Sequence, residues 1–360
     1  MNLIDIANAR LASQQITTTK FKTAKDVVGW MGAMQAQDFS MVKWAVGVRL
    51  PNSTDQAIES AINHGEIVRT HLLRPTWHLV SSNDIHWILE LTAPQIKPLL
   101  ISRHKELELS ERLLAKSAAI MKKLLGGGKH LSREELISAF KKEKISTDEN
   151  RASHIFMHAE LNGLICNGMI KDGKQTYALL KERFPQTESL HRHEALARLA
   201  KTYFTSHCPA TLQDFIWWSG LSIRDAKQAL EMVKTNFVPE IINAQTYWLT
   251  SSFSFPKRIK KSAYLLPAFD EFTISYKDRS AALPFKNHNK AISSNGVFWP
   301  IIVANGQVAG VWKRTVKKEK VLIETNFYNQ PDKTIKELIK KAAVQFGAFL
   351  RKEVEIKDVP

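Results

Sequence analysis

LSREELISAFKKEKISTDENRASHIFMHAELNGLICNGMIKDGKQTYALL, residues 131–180, is the stretch whose reading decides the fold. Ser132 followed three residues later by Glu135 is a capping box, in which each side chain satisfies a backbone N–H at the start of a helix. It opens a helix expected over 133–142. A second helix is expected over 151–161, with Ile155, Phe156 and Ala159 on one stripe and Gly163 as its stop. Two runs of strand character, 164–170 and 175–180, then flank Asp172-Gly173, a dipeptide suited to a tight hairpin turn. Helix, turn, helix and hairpin in that order make a winged helix.

Downstream the same parts return. A helix is expected over 190–205, Thr211 with Asp214 opens another through Trp218, Gly220 breaks it, and Ser222 with Asp225 caps the next. Thr211 lies about one winged-helix domain beyond Ser132, so the two caps are expected at equivalent positions. Ser53 with Gln56 repeats the pattern upstream, but a hairpin follows it directly and the match reads as accidental. In the N-terminal third, helices are expected over 3–14, 23–35, 54–64 and 84–92. The extended stretch 67–80 interrupts them and turns at Arg74-Pro75. A helix over 110–125 ends at Gly126-Gly127-Gly128. After residue 262 strands are expected over 264–276, 297–304, 307–312 and 321–328, with Asn305-Gly306 as a hairpin turn, and a closing amphipathic helix over 334–352. The fold class read from this order is α+β: tandem winged-helix units with a small C-terminal β-barrel or sheet. The expected divisions are 1–125, 126–185, 186–262 and 263–360.

The 360 residues carry 51 Lys and Arg against 35 Asp and Glu, a formal charge of +16, and the pI is about 9.7. That excess is spread over the folded segments and is the footprint of a polyanion binder. No window approaches the roughly 20 apolar residues of a spanning helix, and residues 1–10, with Asp5, lack a leader's apolar run. Cys166 and Cys208 cannot frame a disulfide scaffold for a chain this long, which suits a reducing cytoplasm. A cytoplasmic, monomeric protein that binds nucleic acid, with no membrane and no cofactor, is expected.

Gln35-Ala36-Gln37 closes the apolar-periodic segment that begins at Val27. On a continued helix the two carboxamides point to opposite sides; on extended backbone they share one. A pair held that way can grip one water or a developing charge, although spacing alone favours a solvated polar pair beside a core helix. In the second unit Arg151, His154 and His158 share a stripe opposite the apolar one. A face lying on DNA and a face packed on protein are both open readings. His154 and His158 have the i, i+4 spacing of a metal pair, but no third ligand is placed, so no metal is expected. Lys313 and Arg314, with Lys317, Lys318 and Lys320, and Lys257-Arg258-Lys260-Lys261 are candidate phosphate contacts or solvated strand edges. No P-loop, dinucleotide glycine fingerprint, GxSxG elbow or HExxH is present. Asp270-Glu271 is an acidic pair in apolar surroundings, divided between orienting an arginine and serving an active site.

Several motifs together resemble the winged-helix DNA glycosylase superfamily, in its AlkZ-like (azinomycin-resistance) branch, to which the bacterial crosslink glycosylase YcaQ is related. They are Met34-Gln35-Ala36-Gln37, Arg69-Thr70, Arg74 to Val80, Leu265 to Glu271, Tyr276 to Arg279, and Gly310 to Arg314. They span most of the chain in the family's order. The resemblance implies tandem winged helices and a small C-terminal barrel around a basic channel. Gln35 and Gln37 match its Gln-x-Gln signature, which implies hydrolysis of the N-glycosidic bond of an alkylated purine, bulky or crosslinked N7 adducts included, in double-stranded DNA. Arg69 and Arg74 then suit phosphates, Trp77 reads as core, and His78 stays open between core and lesion site. A non-catalytic winged-helix regulator is the alternative.

Overall fold

Three times along the chain a helix, a short strand or bridge, two helices and a β-hairpin follow one another. The computed structural model describes residues 2–186, 189–251 and 261–358. Of the basic run 257–261, only Lys261 falls within them. After α1 (Leu3–Ser13), the first unit comprises α2 (Ala24–Met31), β1 (Met34–Gln35), α3 (Phe39–Arg49), α4 (Asp55–Asn63), β2 (Ile67–Leu72) and β3 (Thr76–Ser81). A long helix, α5 (Ile85–Glu106), leads to the second unit: α6 (Glu111–Leu125), β4 (Leu131–Ser132), α7 (Arg133–Lys142), α8 (Arg151–Leu161), β5 (Ile165–Lys171) and β6 (Lys174–Leu179). The short α9 (Leu180–Arg183) precedes the third unit, α10 (Arg192–Ser206), α11 (Leu212–Ser219), α12 (Ile223–Val233), β7 (Phe237–Ile242) and β8 (Gln245–Thr250).

The units share one sheet logic. The sheets run β1-β3-β2 and β4-β6-β5, and in the third unit a bridge from Ala210 to Trp248 stands in for the first strand. The residue that ends that strand, or follows the bridge, caps the next helix in the later units: Ser132, the last of β4, opens α7 and Thr211, just after Ala210, opens α11, each by a capping box. In the first unit Asp38 takes this role for α3, accepting from the Met41 N–H. Ser53 caps nothing; Thr54 is the N-cap of α4.

The C-terminal part holds β9 (Ala263–Leu266), α13 (Glu271–Ile274), α14 (His288–Ala291), β10 (Ile301–Ala304), β11 (Gln307–Val316), β12 (Lys320–Phe327), α15 (Lys333–Leu350) and β13 (Glu353–Asp358). Its five strands run β13-β12-β11-β10-β9 and curl into a half-barrel, with β13 parallel to β12. The strand expected over 264–276 stops at Leu266. Phe269 turns the chain at φ 57°, and Asp270 caps α13 by accepting from the Phe272 N–H.

Three apolar cores hold these parts together. One joins the first unit to the half-barrel, from Ile6 and Trp44 to Trp312 and Phe349. A second joins α5 to the third unit around Trp218 and Tyr203. The third is the second unit's own, and Leu114, Met121 and Leu125 of α6 belong to it. The Gly126–Gly128 link therefore runs between parts of one core, and α6 sits with the second unit rather than the first.

Candidate active site

The helix expected over 23–35 ends early, and that early end makes the site. Gly32 leaves α2 at φ 77°, and a Cβ there would lie 2.8 Å from Thr202 Cγ2, so only glycine turns the chain here without strain. Met34 and Gln35 then pair with Leu79 and His78 of β3, and the Ala36 N–H donates to the Trp77 carbonyl at 2.7 Å. Pairing with β3 thus runs through Ala36, and the chain bends at Gln37. Gln35 is 7% exposed, whereas Gln37 is open to solvent.

Neighbours from far along the chain hold this strand. Glu271 Oε1 accepts the Gln35 backbone N–H at 2.5 Å. Arg69 Nε donates to the Ala36 carbonyl at 2.9 Å. Arg74 Nη2 donates to Gln35 Oε1 at 2.8 Å. Because guanidinium can only donate, this contact fixes which end of the Gln35 amide faces it and leaves the NH2 pointing elsewhere. Gln37 Oε1 is held only weakly, by the Trp77 N–H at 3.4 Å.

Glu271 is 2% exposed. Burial alone would raise its carboxyl pKa. His207, the Ser275 hydroxyl and the Gln35 N–H outweigh that and hold it down to about 2. A fixed negative charge therefore lies directly behind Gln35. No Lys or Arg among the described residues forms an ion pair with it; the flanking group is His207, 3.7 Å away, whose own protonation burial disfavours. Its neighbour Asp270 has another task. It grips the buried Arg49 through two contacts of 2.8 and 2.9 Å, tying α3 to the half-barrel.

The remaining sequence candidates divide sharply. Arg69 is buried, stacks on Trp77 with Cζ 3.9 Å from the ring centroid, and donates to Gln175 at 2.8 Å and Asn167 at 3.3 Å in the second unit. Its donors serve the protein, which leaves little for the expected phosphate. Burial pulls its pKa to about 10. His78 is 1% exposed. Its Nδ1 lies 3.0 Å from the Thr76 carbonyl, so the proton sits on Nδ1 and Nε2 is a buried acceptor with no partner among the described residues. Burial first, and Arg74 second, press its pKa down to about 3. Arg74 is half-buried and borders the site. Arg314 is also close: its Nη2 donates to Ser40 Oγ, just past Gln37. Lys313 is exposed on β11.

Arg151, His154 and His158 are elsewhere. Arg151 donates to the carbonyls of Ser146 and Leu107, and the rings of His154 and His158 lie 5.4 and 5.9 Å from that of His104 on α5. This face of α8 packs on protein. Among the described residues no cluster of His, Cys, Asp and Glu could hold a metal ion, and none of their helices is long and apolar enough to cross a membrane. Glu271 was the acidic candidate whose task the sequence left open; its proximity to Gln35 is a tertiary fact with no local signal.

The description "DNA glycosylase AlkZ-like" is that of a family model matching residues 28–349, which takes in the glutamine strand, the first unit from within α2 onward, the other two winged-helix units and strands β9 to β12 of the half-barrel. The chain belongs to the AlkZ-like DNA glycosylase family. It is 23% identical over 350 residues to an interstrand DNA cross-link repair glycosylase of Streptomyces sahachiroi, an alignment covering 93% of each chain. The fold superposes on the structure of Streptomyces sahachiroi DNA glycosylase AlkZ with a TM-score of 0.82 over the whole of both chains, at 18% identity. Membership makes the chain a DNA glycosylase and accounts for its basic charge.

Proposed function

We propose that the protein hydrolyses the N-glycosidic bond of alkylated purines whose N7 adduct makes the base cationic, interstrand crosslinks included, and that Gln35 and Gln37 place the attacking water. The observation that carries this reading is the nature of the two side chains on the open strand. Carboxamides carry no titratable proton acceptor near neutral pH, so they suit a leaving group that needs no strong acid and a water that needs no strong base. An N7-alkylpurine leaves as a neutral base once the C1′–N9 bond breaks and keeps the electron pair. Positive charge then passes to the sugar as an oxocarbenium. Water oxygen bonds to C1′, and its proton leaves to solvent past the exposed Gln37.

Fixed dipoles and charges aimed at a developing charge are worth most when they need not reorganise. Glu271 supplies a buried negative charge behind Gln35 and pins its backbone; Arg74 pins its side chain. Arg69, through the Ala36 carbonyl, completes the frame. Hydrolysis by water makes the enzyme monofunctional, leaving an abasic site with an intact strand.

Incubation of methylated duplex DNA with the protein tests this. Free 7-methylguanine and alkali-labile, unbroken strands are expected. Gln37→Ala should lower release by about 10²-fold or more, the usual cost of one preorganised polar group, while duplex binding changes little. Release that survives that substitution undiminished would remove Gln37 from the mechanism. Strand breaks formed without alkali would instead show a lyase.

A further inference from the structure

Beside the glutamine strand lies a cluster of which the hydrolytic reading uses Arg74 alone. The indole of Trp217, on α11, is flanked by three cations: Lys277 Nζ and Arg279 Cζ, each 5.1 Å from its centroid, and Arg74 Cζ at 5.5 Å. Among the described residues none of the three forms an ion pair. Asp214, Asp278 and Glu271 act on them only from longer range.

The frame is rigid. Trp217 Nε1 donates to the Ile274 carbonyl at 2.8 Å, and Arg74 Nη1 donates to the Trp217 carbonyl at 3.3 Å. Arg279 is held through Nε to the Thr273 carbonyl at 3.0 Å and Nη1 to the Lys277 carbonyl at 3.3 Å. The turn that carries Arg74 is locked onto the third unit at Gly220, where a Cβ would sit 2.6 Å from the Leu73 carbonyl oxygen. What remains unused is Arg279 Nη2 and Lys277 Nζ, which make no hydrogen bond among the described residues. Gathering three like charges around one ring without a counterion costs energy, and that cost is recovered when an anion with several acceptor oxygens docks between them.

From this geometry we infer that Arg74, Lys277 and Arg279, set around Trp217, form a clamp for one backbone phosphodiester of the strand that carries the damaged nucleotide. The identity of that strand rests on the glycosylase reading. Its place beside the lesion follows from Arg74, which touches both Trp217 and Gln35, so a phosphate in the clamp lies next to the sugar presented to the glutamines. The indole offers an apolar floor for a neighbouring sugar or base. The clamp thus positions substrate rather than reacting with it.

The test is equilibrium binding, by fluorescence anisotropy, of a short duplex containing a tetrahydrofuran abasic-site analogue, which cannot be hydrolysed. Lys277→Ala is the informative variant, since that side chain is exposed and forms no hydrogen bond or ion pair among the described residues; a thermal melt checks its fold, and Lys141→Ala serves as a remote charge control. Lys277→Ala should weaken binding several-fold more than the control and reduce the slope of log Kd against log salt by about 0.9, the value for one lost phosphate contact. A neutral methylphosphonate at one position flanking the analogue should weaken binding by the wild type to a similar extent and add nothing further in the variant. Arg279→Met should share that same position-specific loss.

An unchanged salt slope, or losses that add at every phosphate tried, overturns the clamp. The glycosylase reading fails separately. Wild-type protein that shows this binding profile but frees no 7-methylguanine refutes hydrolysis and keeps the clamp, whereas base release with Lys277-independent binding does the reverse.

Discussion

The strand that carries Gln35 and Gln37 and the face of α8 that carries Arg151, His154 and His158 are both polar stretches on winged-helix units. Their neighbours treat them in opposite ways. Around the strand, Glu271, Arg69 and the Trp77 carbonyl take the backbone groups, and among the described residues only Arg74 and a long contact from Trp77 hydrogen-bond the side chains. Around α8, α5 and the segment before it take the side chains themselves. A polar residue is left free for chemistry when its surroundings spend their contacts on main chain. The two histidines and the arginine of α8 have the residue types of a nucleic-acid face, yet the helix beside them has already used it.

The sharpest way to break this contrast is to remove the charge beneath the strand while keeping its hydrogen bond. Glu271→Gln retains an acceptor for the Gln35 N–H. If the carboxylate does no more than hold backbone, release of 7-methylguanine will survive; with the charge acting on the oxocarbenium, kcat should drop by about 10- to 10²-fold, less than the cost of losing a group that touches the reacting atoms directly. KM and duplex affinity should hold steady. The measurement is single-turnover base release alongside Kd.

A second, smaller effect comes from acid. His78 is neutral in the folded state down to about pH 3, while in the unfolded chain it takes a proton near pH 6.5. Between those values the unfolded state binds more protons, so the group's contribution is complete above about 6.5 and is lost as pH falls, at up to about 1.4 kcal/mol per pH unit. Glu271, held at about 2, adds loss in the same direction below about 4.5. Urea unfolding at pH 7.5 and 5.5 should show stability falling with acid, and His78→Asn should flatten part of that fall. Equal slopes in both proteins would mean that His78 gains a proton without unfolding.

The smallest effect belongs to α8. Replacing Arg151 and His154 together by Ala should leave duplex affinity within about two-fold, below the roughly 1 kcal/mol expected of even one good base contact, and should instead lower the unfolding midpoint. A large loss of affinity with an unchanged midpoint would return this face to the DNA.

Local chemistry in the sequence accounts for much of the fold. Ser132 with Glu135 and Thr211 with Asp214 are short-range capping signals, and both open the helices they were expected to open. What escaped the sequence reading was set by tertiary packing. Helix α3 buries Lys43 and Arg49 along with its apolar residues, so it shows no one-sided stripe. Helix α5 continues through Pro94 and Pro98 to Glu106, although the helix expected from the sequence ends at 92. Both prolines lie on its exposed side, where water can satisfy the carbonyls they leave unpaired. The glutamine pair stood out by composition, but its orientation depended on Gly32 ending α2 early. Glu271 is 236 residues from Gln35, and no spacing rule reaches that far.

The core shared by the first unit and the half-barrel has a consequence for how the protein is made. Trp44 donates its indole N–H to the Leu265 carbonyl at 2.7 Å and packs on Phe346 and Phe349 of α15, while Arg49 finds its carboxylate at Asp270. A chain leaving the ribosome shows its N-terminus first, so the two glutamines emerge long before the groups that align them. Until residues 265–271 have been made, Trp44 lacks its carbonyl, Arg49 its carboxylate, and Gln35 the Glu271 acceptor for its backbone N–H. A polypeptide cut short before residue 265 therefore carries the glutamine pair without the groups that hold it, and under the proposed reading base excision waits for the half-barrel.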